Sequence, residues 1–313
     1  MKVAFIIDPI ETLNIDKDST YMMLKAAQAR HWEQYIVEVK DLFIEDGIAY
    51  GDMLLFNFNT KNDPWYSLAE PQKINLSKFN AIFMRKDPPF DMNYIYATYI
   101  LSVAKRNGTL IVNSPESLRN INEKISILQY PMFAAKTMVS KSFKTINRFL
   151  LKYQDIVVKP LDQMGGNSVF RIQIGDYNKN VILENITHNQ KRFIIIQQYQ
   201  IEIEQGDKRI LIVNGQPLKY LVVRMPKSGD FRGNVARGAT ISIRKLTIQE
   251  HYIAMTVGKD LKLKGVLFAG IDMIGDKITE INITSPTMIQ EIYKESSIDA
   301  ASILMDAVTD KLV

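Results

Sequence analysis

The chain has 313 residues, 46% of them hydrophobic and 23% charged, with no cysteine and a formal net charge of +5. That balance suits a soluble protein of two or three domains; no run approaches a membrane span, and the lack of cysteine excludes disulfides, thiolate metal sites and a thiol nucleophile. The positive excess is local: Arg224, Lys227, Arg232, Arg237, Arg244 and Lys245 fall in one stretch with Asp230 as its single acid. No helix carries a basic stripe interleaved with aromatics, so a small anionic ligand is favoured over a nucleic acid.

The first third alternates strand and helix. Val3 to Ile7 reads as a buried strand, too short for a signal-peptide core and followed by Asp8, so a cytoplasmic location is expected. Asp18-Ser19 can cap a helix running to Ala27, Tyr35 to Val39 is a second strand and Ala81 to Arg85 a third. A helix from about Tyr94 to Arg106 should stop at Asn107-Gly108, where glycine permits a left-handed cap. Thr109 to Asn113 is a further strand, and Ser114-Pro115 opens another helix. This alternation predicts an open parallel sheet in an α/β amino-terminal domain, residues 1–122, with ligands at the carboxyl ends of its strands.

Beyond about Asn122 the texture becomes α+β, with antiparallel sheets. Residues 123–200 form a smaller unit with strands at Ile156 to Pro160, Val169 to Ile174 and Phe193 to Tyr199. Residues 201–313 form another, with strands at Arg209 to Val213 and Leu218 to Arg224 joined through Asn214-Gly215, a helix at about Ile248 to Lys262 and a terminal helix from Ala300. Within that unit, residues 225–240 contain Gly229, Gly233 and Gly238 and little apolar content. So long a loop reads as a lid, and its bases suit closure over anions.

The most informative segment is Gly270 to Asn282, two short strands meeting at Gly275-Asp276. Glu280 and Asn282 leave one face, while Ile281 and Ile283 point inward. An odd-length loop would set Asp272 opposite Glu280; a two-residue loop would put them on opposite faces, and the odd loop is expected. Two carboxylates about 4 Å apart repel by about 4 kcal/mol at an effective dielectric near 20, a cost that a shared hard cation removes. Asp272, Glu280 and Asn282 offer the all-oxygen set that suits Mg²⁺ sharing a nucleotide's phosphates; acids merely facing water are the competing reading.

Other residues could serve the same ligand. Lys159 ends a strand just before Gly165-Gly166, a loop whose backbone N–H groups can approach phosphate. Lys124 has no partner evident in sequence. Gln198-Tyr199 ends a strand with groups able to read a purine, Arg209 and Arg224 end neighbouring strands, and Arg85 precedes the rigid Pro88-Pro89 turn, placed to hold a carboxylate. For each arginine a surface salt bridge or solvated strand end is the plainer alternative. His31, His188 and His251 show no ligand-like or triad-like spacing.

Taken together, these residues resemble the ATP-grasp carboxylate–amine ligases and, within them, the bacterial glutathione synthetases. The resemblance is carried by Ile7-Asp8-Pro9-Ile10, Met84-Arg85-Lys86-Asp87-Pro88-Pro89-Phe90-Asp91, Tyr94 to Leu101, Asn122-Glu123-Lys124, Lys159-Pro160-Leu161-Asp162, Met164-Gly165-Gly166, Gly206-Asp207-Lys208-Arg209, Arg232-Gly233-Asn234 and Thr279 to Thr287. It implies a two-part ATP-grasp fold after the amino-terminal domain, with nucleotide between two antiparallel sheets. Lys124 and Lys159 would contact phosphates under the Gly165-Gly166 loop, Gln198 and Tyr199 would face adenine, and Asp207 would also serve the nucleotide. Asp272, Glu280 and Asn282 would hold two Mg²⁺ (or Mn²⁺) ions.

By the same resemblance Arg85, Arg209 and Arg224 would orient the dipeptide and the transferred phosphate, with Arg209, Arg224 and Lys159 as the catalytic set. Ser285-Pro286-Thr287 and Arg232-Gly233-Asn234 would contact substrate, and a homotetramer is implied. Gln163 departs from the usual glycine, implying a stiffer phosphate loop, and Arg237-Gly238-Ala239-Thr240 departs in the lid. The implied reaction joins γ-glutamylcysteine and glycine through an acyl phosphate, releasing ADP and phosphate, with no nucleic-acid or membrane partner. A D-alanine–D-alanine or glutamate ligase, or a nucleotide-binding protein without catalysis, is the alternative.

Overall fold

The computed structural model describes residues 1–59, 64–233 and 237–313. In the amino-terminal part β1 (Lys2–Ile6), α1 (Ser19–Ala29) and β2 (Glu33–Val37) form a parallel crossover unit. Four strands absent from the sequence reading follow: β3 (Leu42–Glu45), β4 (Ile48–Phe58), β5 (Tyr66–Leu68) and β6 (Gln72–Asn75). Then come β7 (Ala81–Met84), α2 (Met92–Arg106), β8 (Leu110–Val112) and α3 (Pro115–Asn120). The sheet runs β3-β4-β2-β1-β7-β8, with β5 and β6 also on β4. Its parallel centre β2-β1-β7-β8 is the expected one; β4 adds an antiparallel flank.

Local chemistry explains the punctuation. Asp18 accepts a hydrogen bond from the Thr20 N–H at the start of α1, and Asp91 accepts from the Tyr94 N–H at the start of α2. Gly108, at φ +98°, ends the turn after α2, where a side chain would be strained. Successive β1 residues alternate between two apolar layers. Ala4 and Ile6 join Ala97 and Leu101 of α2, whereas Val3 and Phe5 join the α1 side.

The second sheet, in the order β11-β10-β12-β9, comprises β9 (Thr137–Ser140), β10 (Asp155–Pro160), β11 (Phe170–Gln173) and β12 (Ile194–Gln198). Helices α4 (Phe143–Tyr153) and α5 (Lys179–Ile186) cover one face, packing Ile146, Leu150 and Leu183 on Ile156, Val158 and Ile196. Period-two alternation turns Val157, Lys159 and Gln197 to the other face.

The third sheet, β16-β15-β13-β17-β18, is built from β13 (Asp207–Val213), β14 (Gln216–Pro217), β15 (Tyr220–Met225), β16 (Thr240–Lys245), β17 (Phe268–Ile274) and β18 (Lys277–Asn282). One face packs on α6 (Ile248–Leu263) through Ile210, Ile212, Ile253 and Val257. The other changes character along its length. Leu211, Val213, Val222 and Phe268 pack with α7 (Ile289–Ser296) and α8 (Ala300–Leu312), while Asp207, Arg209, Arg224 and Asp272 continue the same face in the opposite direction. Helix α8 also packs against α1, joining the third sheet to the first. Among the described residues no helix is long and apolar enough to cross a membrane.

Candidate active site

Between the second and third sheets lies a cavity of about 360 Å³, the size of a small-molecule site. The second sheet contributes Val157, Lys159, Gln197, Gln198 and Tyr199; the third contributes Asp207, Arg209, Arg224, Asp272, Glu280 and Asn282. Gly165, Gly166, Arg232 and Gly233 close it from two loops, and Ser285, Pro286 and Thr287 line another part of its wall. Asn234 lies outside the described residues.

The register of β17 with β18 corrects one expectation. The connecting turn has two residues, with Ile274 paired to Lys277, so the odd loop is absent. Asp272 nevertheless pairs with Glu280, because the register shifts between Asp272 and Met273. Thr279 is the extra residue of a β-bulge, which restores the shared face that a two-residue turn alone would destroy. Gly270 sits opposite Asn282, and a Cβ on it would meet Pro286 at 3.3 Å, so glycine allows the Ser285–Thr287 segment to pass close over the strand.

Arg209 and Arg224 are buried, not surface-bridged. The Arg209 Nε and Nη2 each donate to Asp272 at 2.7 Å, and Arg224 Nη2 lies 3.0 Å from Asp272 and 2.5 Å from Asp207. Burial opposes the Asp272 charge, but the two guanidiniums outweigh it and hold its carboxyl well below the ordinary carboxylate range. Asp207 goes the other way: burial pushes it up to about 6 against the pull of Arg224, and one of its oxygens has no hydrogen-bond partner among the described residues. Arg209 also donates to the Thr287 hydroxyl at 3.3 Å.

The lysines are buried as well. Lys124, 3% exposed, donates to the main-chain oxygen of Gln163 at 2.7 Å, while Asn122 holds Leu161 through its carbonyl at 3.1 Å. Lys159 Nζ stands 3.7 Å from Glu280. Gly165 and Gly166 take positive φ values, +67° and +73°, which glycine allows at little cost. The glycine-containing loop after β15 meets this loop: Arg232 donates to the Gly166 oxygen at 3.2 Å and Arg237 to the Asn167 side chain. A Cβ on Gly233 would fall 2.5 Å from that of Asp207, so this loop approaches the third sheet at a place open to glycine alone.

Arg85 is not on the cavity wall. It is buried behind it, donating to the Thr20 hydroxyl at 3.2 Å and to the Pro286 carbonyl at 3.1 Å, so it positions the Ser285–Thr287 segment from the rear. Asn113 anchors the same region by accepting from the Leu267 and Phe268 N–H groups and donating to the Phe268 and Ile283 carbonyls. Two cavity acids appear in the sequence analysis only within longer runs and are not among its site residues. Glu123, directly before Lys124, accepts from the Thr284 hydroxyl at 3.1 Å, and burial pushes its carboxyl up. Asp87 follows Lys86 at the parallel sheet's carboxyl end. Their sequence signal is adjacency to Lys124 and Lys86, which alone does not distinguish a cavity acid from a surface one.

Asp272, Glu280 and Asn282 lie on one face of two paired strands. The Asn282 amide nitrogen leans on Asp272 Oδ2 at 3.4 Å, leaving its carbonyl oxygen as a donor for a cation. No group of three or more His, Cys, Asp or Glu able to hold a metal occurs among the described residues. Two acids and an amide therefore fit a hard cation that takes its remaining oxygens from phosphate and water, rather than an all-protein cage.

Solved structures share this architecture. A D-cycloserine synthetase is similar with a TM-score of 0.69 at 13% identity, each chain covered in full. D-alanyl-alanine synthetase A from Vibrio cholerae matches at 0.61 and 13%, over 99% of this chain and 98% of the other. The fold is that of the ATP-grasp ligases. The sequence matches the prokaryotic glutathione synthetase N-terminal domain over residues 1–119 and its ATP-grasp domain over residues 123–297. The glutathione synthetase of Vibrio vulnificus (strain YJ016) is 43% identical over 312 residues, covering 100% of this chain and 98% of that protein; for that of Escherichia coli (strain K12) the figures are 42%, 100% and 99%. The chain belongs to the prokaryotic glutathione synthetase family.

Proposed function

We propose that this chain uses ATP to join γ-glutamylcysteine to glycine, forming glutathione, ADP and phosphate. The observation that carries the site assignment is the convergence of Lys124, Lys159, Arg209, Arg224, Asp272, Glu280 and Asn282 on one cavity between two antiparallel sheets. Phosphoryl transfer asks a protein mainly for position and counter-charge, and this cavity supplies both, so the reaction needs no covalent bond to a side chain.

The purine fits among Val157, Gln197, Gln198 and Tyr199, and Asp207, one oxygen of which has no hydrogen-bond partner among the described residues, accepts a nucleotide hydroxyl. Lys124 exchanges the Gln163 carbonyl for phosphate, and Lys159 meets phosphate beside Glu280. Asp272, Glu280 and Asn282 would hold magnesium or manganese, which when bound offsets phosphate charge as a Lewis acid. The dipeptide carboxylate attacks the γ-phosphorus, and ADP leaves. Arg209 and Arg224 stand beside the reacting groups as counter-charge, and glycine's amine then displaces phosphate from the acyl phosphate. Arg232 and Gly233 close over the site so that water does not hydrolyse the intermediate.

We place the reaction in the cytoplasm and the chain in a homotetramer. Supporting assembly, α2 leaves Met92, Tyr96 and Tyr99 more than half exposed along one stripe; a one-chain mass by light scattering would remove that part of the reading. The functional test is ADP release with γ-glutamylcysteine plus glycine, compared with D-alanine alone. Release in the first mixture is expected; release in the second alone would move the chain to the D-alanine ligases.

A further inference from the structure

Each acid on the cavity wall but one has a cation beside it among the described residues. Asp207 has Arg224, Asp272 has Arg209, Glu280 has Lys159 and Glu123 has Lys124 at 3.9 Å. The exception is Asp87. The cations next to it in sequence are committed elsewhere: Lys86 Nζ lies 2.7 Å from Asp8 and donates to the Asp87 main-chain oxygen, and Arg85 holds Thr20 and Pro286. Asp8 also accepts from the Asp87 N–H at 3.0 Å, which fixes the backbone and leaves the carboxylate facing the cavity. The Asp87 side chain is exposed at the cavity rim; partial desolvation there pushes its carboxyl up, while the neighbouring Ser285 hydroxyl and the Arg85 charge, which lies beyond ion-pair distance, pull the other way. A filled, closed cavity would shut water away from this charge, and an unpaired charge is then costly.

We propose that Asp87 is the receptor for the α-ammonium of the acid substrate, and so the residue that selects a γ-glutamyl group over a plain acyl chain. This rests on the ligase reading above. The dipeptide brings an ammonium that takes no part in the chemistry and lies at its far end from the reacting carboxylate. Glycine's amine is the poorer candidate: it must attack as free amine, and a carboxylate partner would favour its protonated, unreactive form. Asp87 also stands at the carboxyl end of a parallel sheet strand, where such sheets bind ligands, and against Ser285 of the segment that Arg85 props from behind.

The experiment compares γ-glutamylcysteine with glutarylcysteine, the same molecule without the α-amino group, in wild type and in Asp87→Asn, with Asp87→Ala as a second variant. Wild type should favour the natural dipeptide in kcat/KM by about thirtyfold or more, the order expected for removing one partner of a desolvated ion pair. Both variants should bring the two substrates within about threefold of each other, with KM for ATP unchanged. A side chain with only a structural role would slow both substrates alike and preserve the ratio. Retention of the wild-type preference in either folded variant, or a wild type without preference, overturns the proposal. If wild type turns over neither substrate, the ligase reading itself fails.

Discussion

Arg209 and Asp272 face each other across β13 and β17, joined by two hydrogen bonds of 2.7 Å each. The carboxylate assigned to the cation is therefore also the partner of two buried guanidiniums, since Arg224 lies 3.0 Å from it. Ligand and counter-charge form one unit, so single substitutions here disturb both folding and chemistry.

Asp272→Ala leaves Arg209 and Arg224 buried with less compensation, and removing one partner of a buried pair costs about 3–5 kcal/mol. A clearly lowered melting temperature and loss of turnover are expected. Glu280→Gln separates the two effects: Glu280 is partly exposed and 3.7 Å from Lys159, so its fold should survive while ADP release falls at least a hundredfold. Near-wild-type rates in Glu280→Gln contradict the cation assignment.

The sequence carried this set through alternation: strands with a period of two put Glu280 and Asn282 on one face whatever their surroundings. It did not carry the reason Asp272 joins them, because a bulge at Thr279 has no sequence mark distinguishing it from regular strand. The side of the cavity wall on which Arg85 lies is illegible in sequence for a related reason. A strand end can aim an arginine at the cleft or behind it, and here Thr20 and the Pro286 carbonyl, 201 residues away, decide. The β3 to β6 flank was missed because its residues, half buried and polar in places, lack a clean alternation.

Lys124→Met and Lys159→Met each remove a positive charge from the part of the cavity proposed to hold phosphate. Each should raise KM for ATP about tenfold or more, with KM for glycine within about threefold. Steady-state kinetics at saturating dipeptide check this. Unchanged ATP affinity in both variants would separate these lysines from phosphate.

Gly233→Ala tests the lid. Its new methyl would stand 2.5 Å from the Asp207 Cβ and 3.2 Å from the Arg224 carbonyl, so the lid must retreat. Because the strain falls on a loop, the melting temperature should change little while kcat/KM falls about tenfold and ATP hydrolysis without product rises. A wild-type ratio of glutathione to ADP would show that this contact does not exclude water.

Glu250 gives a pH signature outside the cavity. Burial opposes its charge, but Arg244, Lys208 and the Thr247 N–H hold its carboxyl at about 2 against an ordinary 4.5. A depressed folded-state value means stability fully present above 4.5 and lost as pH falls towards 2, about 3 kcal/mol in all. Melting curves between pH 6 and 3, run on wild type and Glu250→Gln, should converge as the pH drops; parallel curves would refute the assignment.

The central claim is a carboxylate activated by phosphate transfer between the two antiparallel sheets. It is tested most directly with γ-glutamylcysteine carrying oxygen-18 in its cysteinyl carboxylate. The account predicts one labelled oxygen in the inorganic phosphate released for each glutathione formed, with ADP as the nucleotide product. Unlabelled phosphate, or label appearing in AMP, would contradict it.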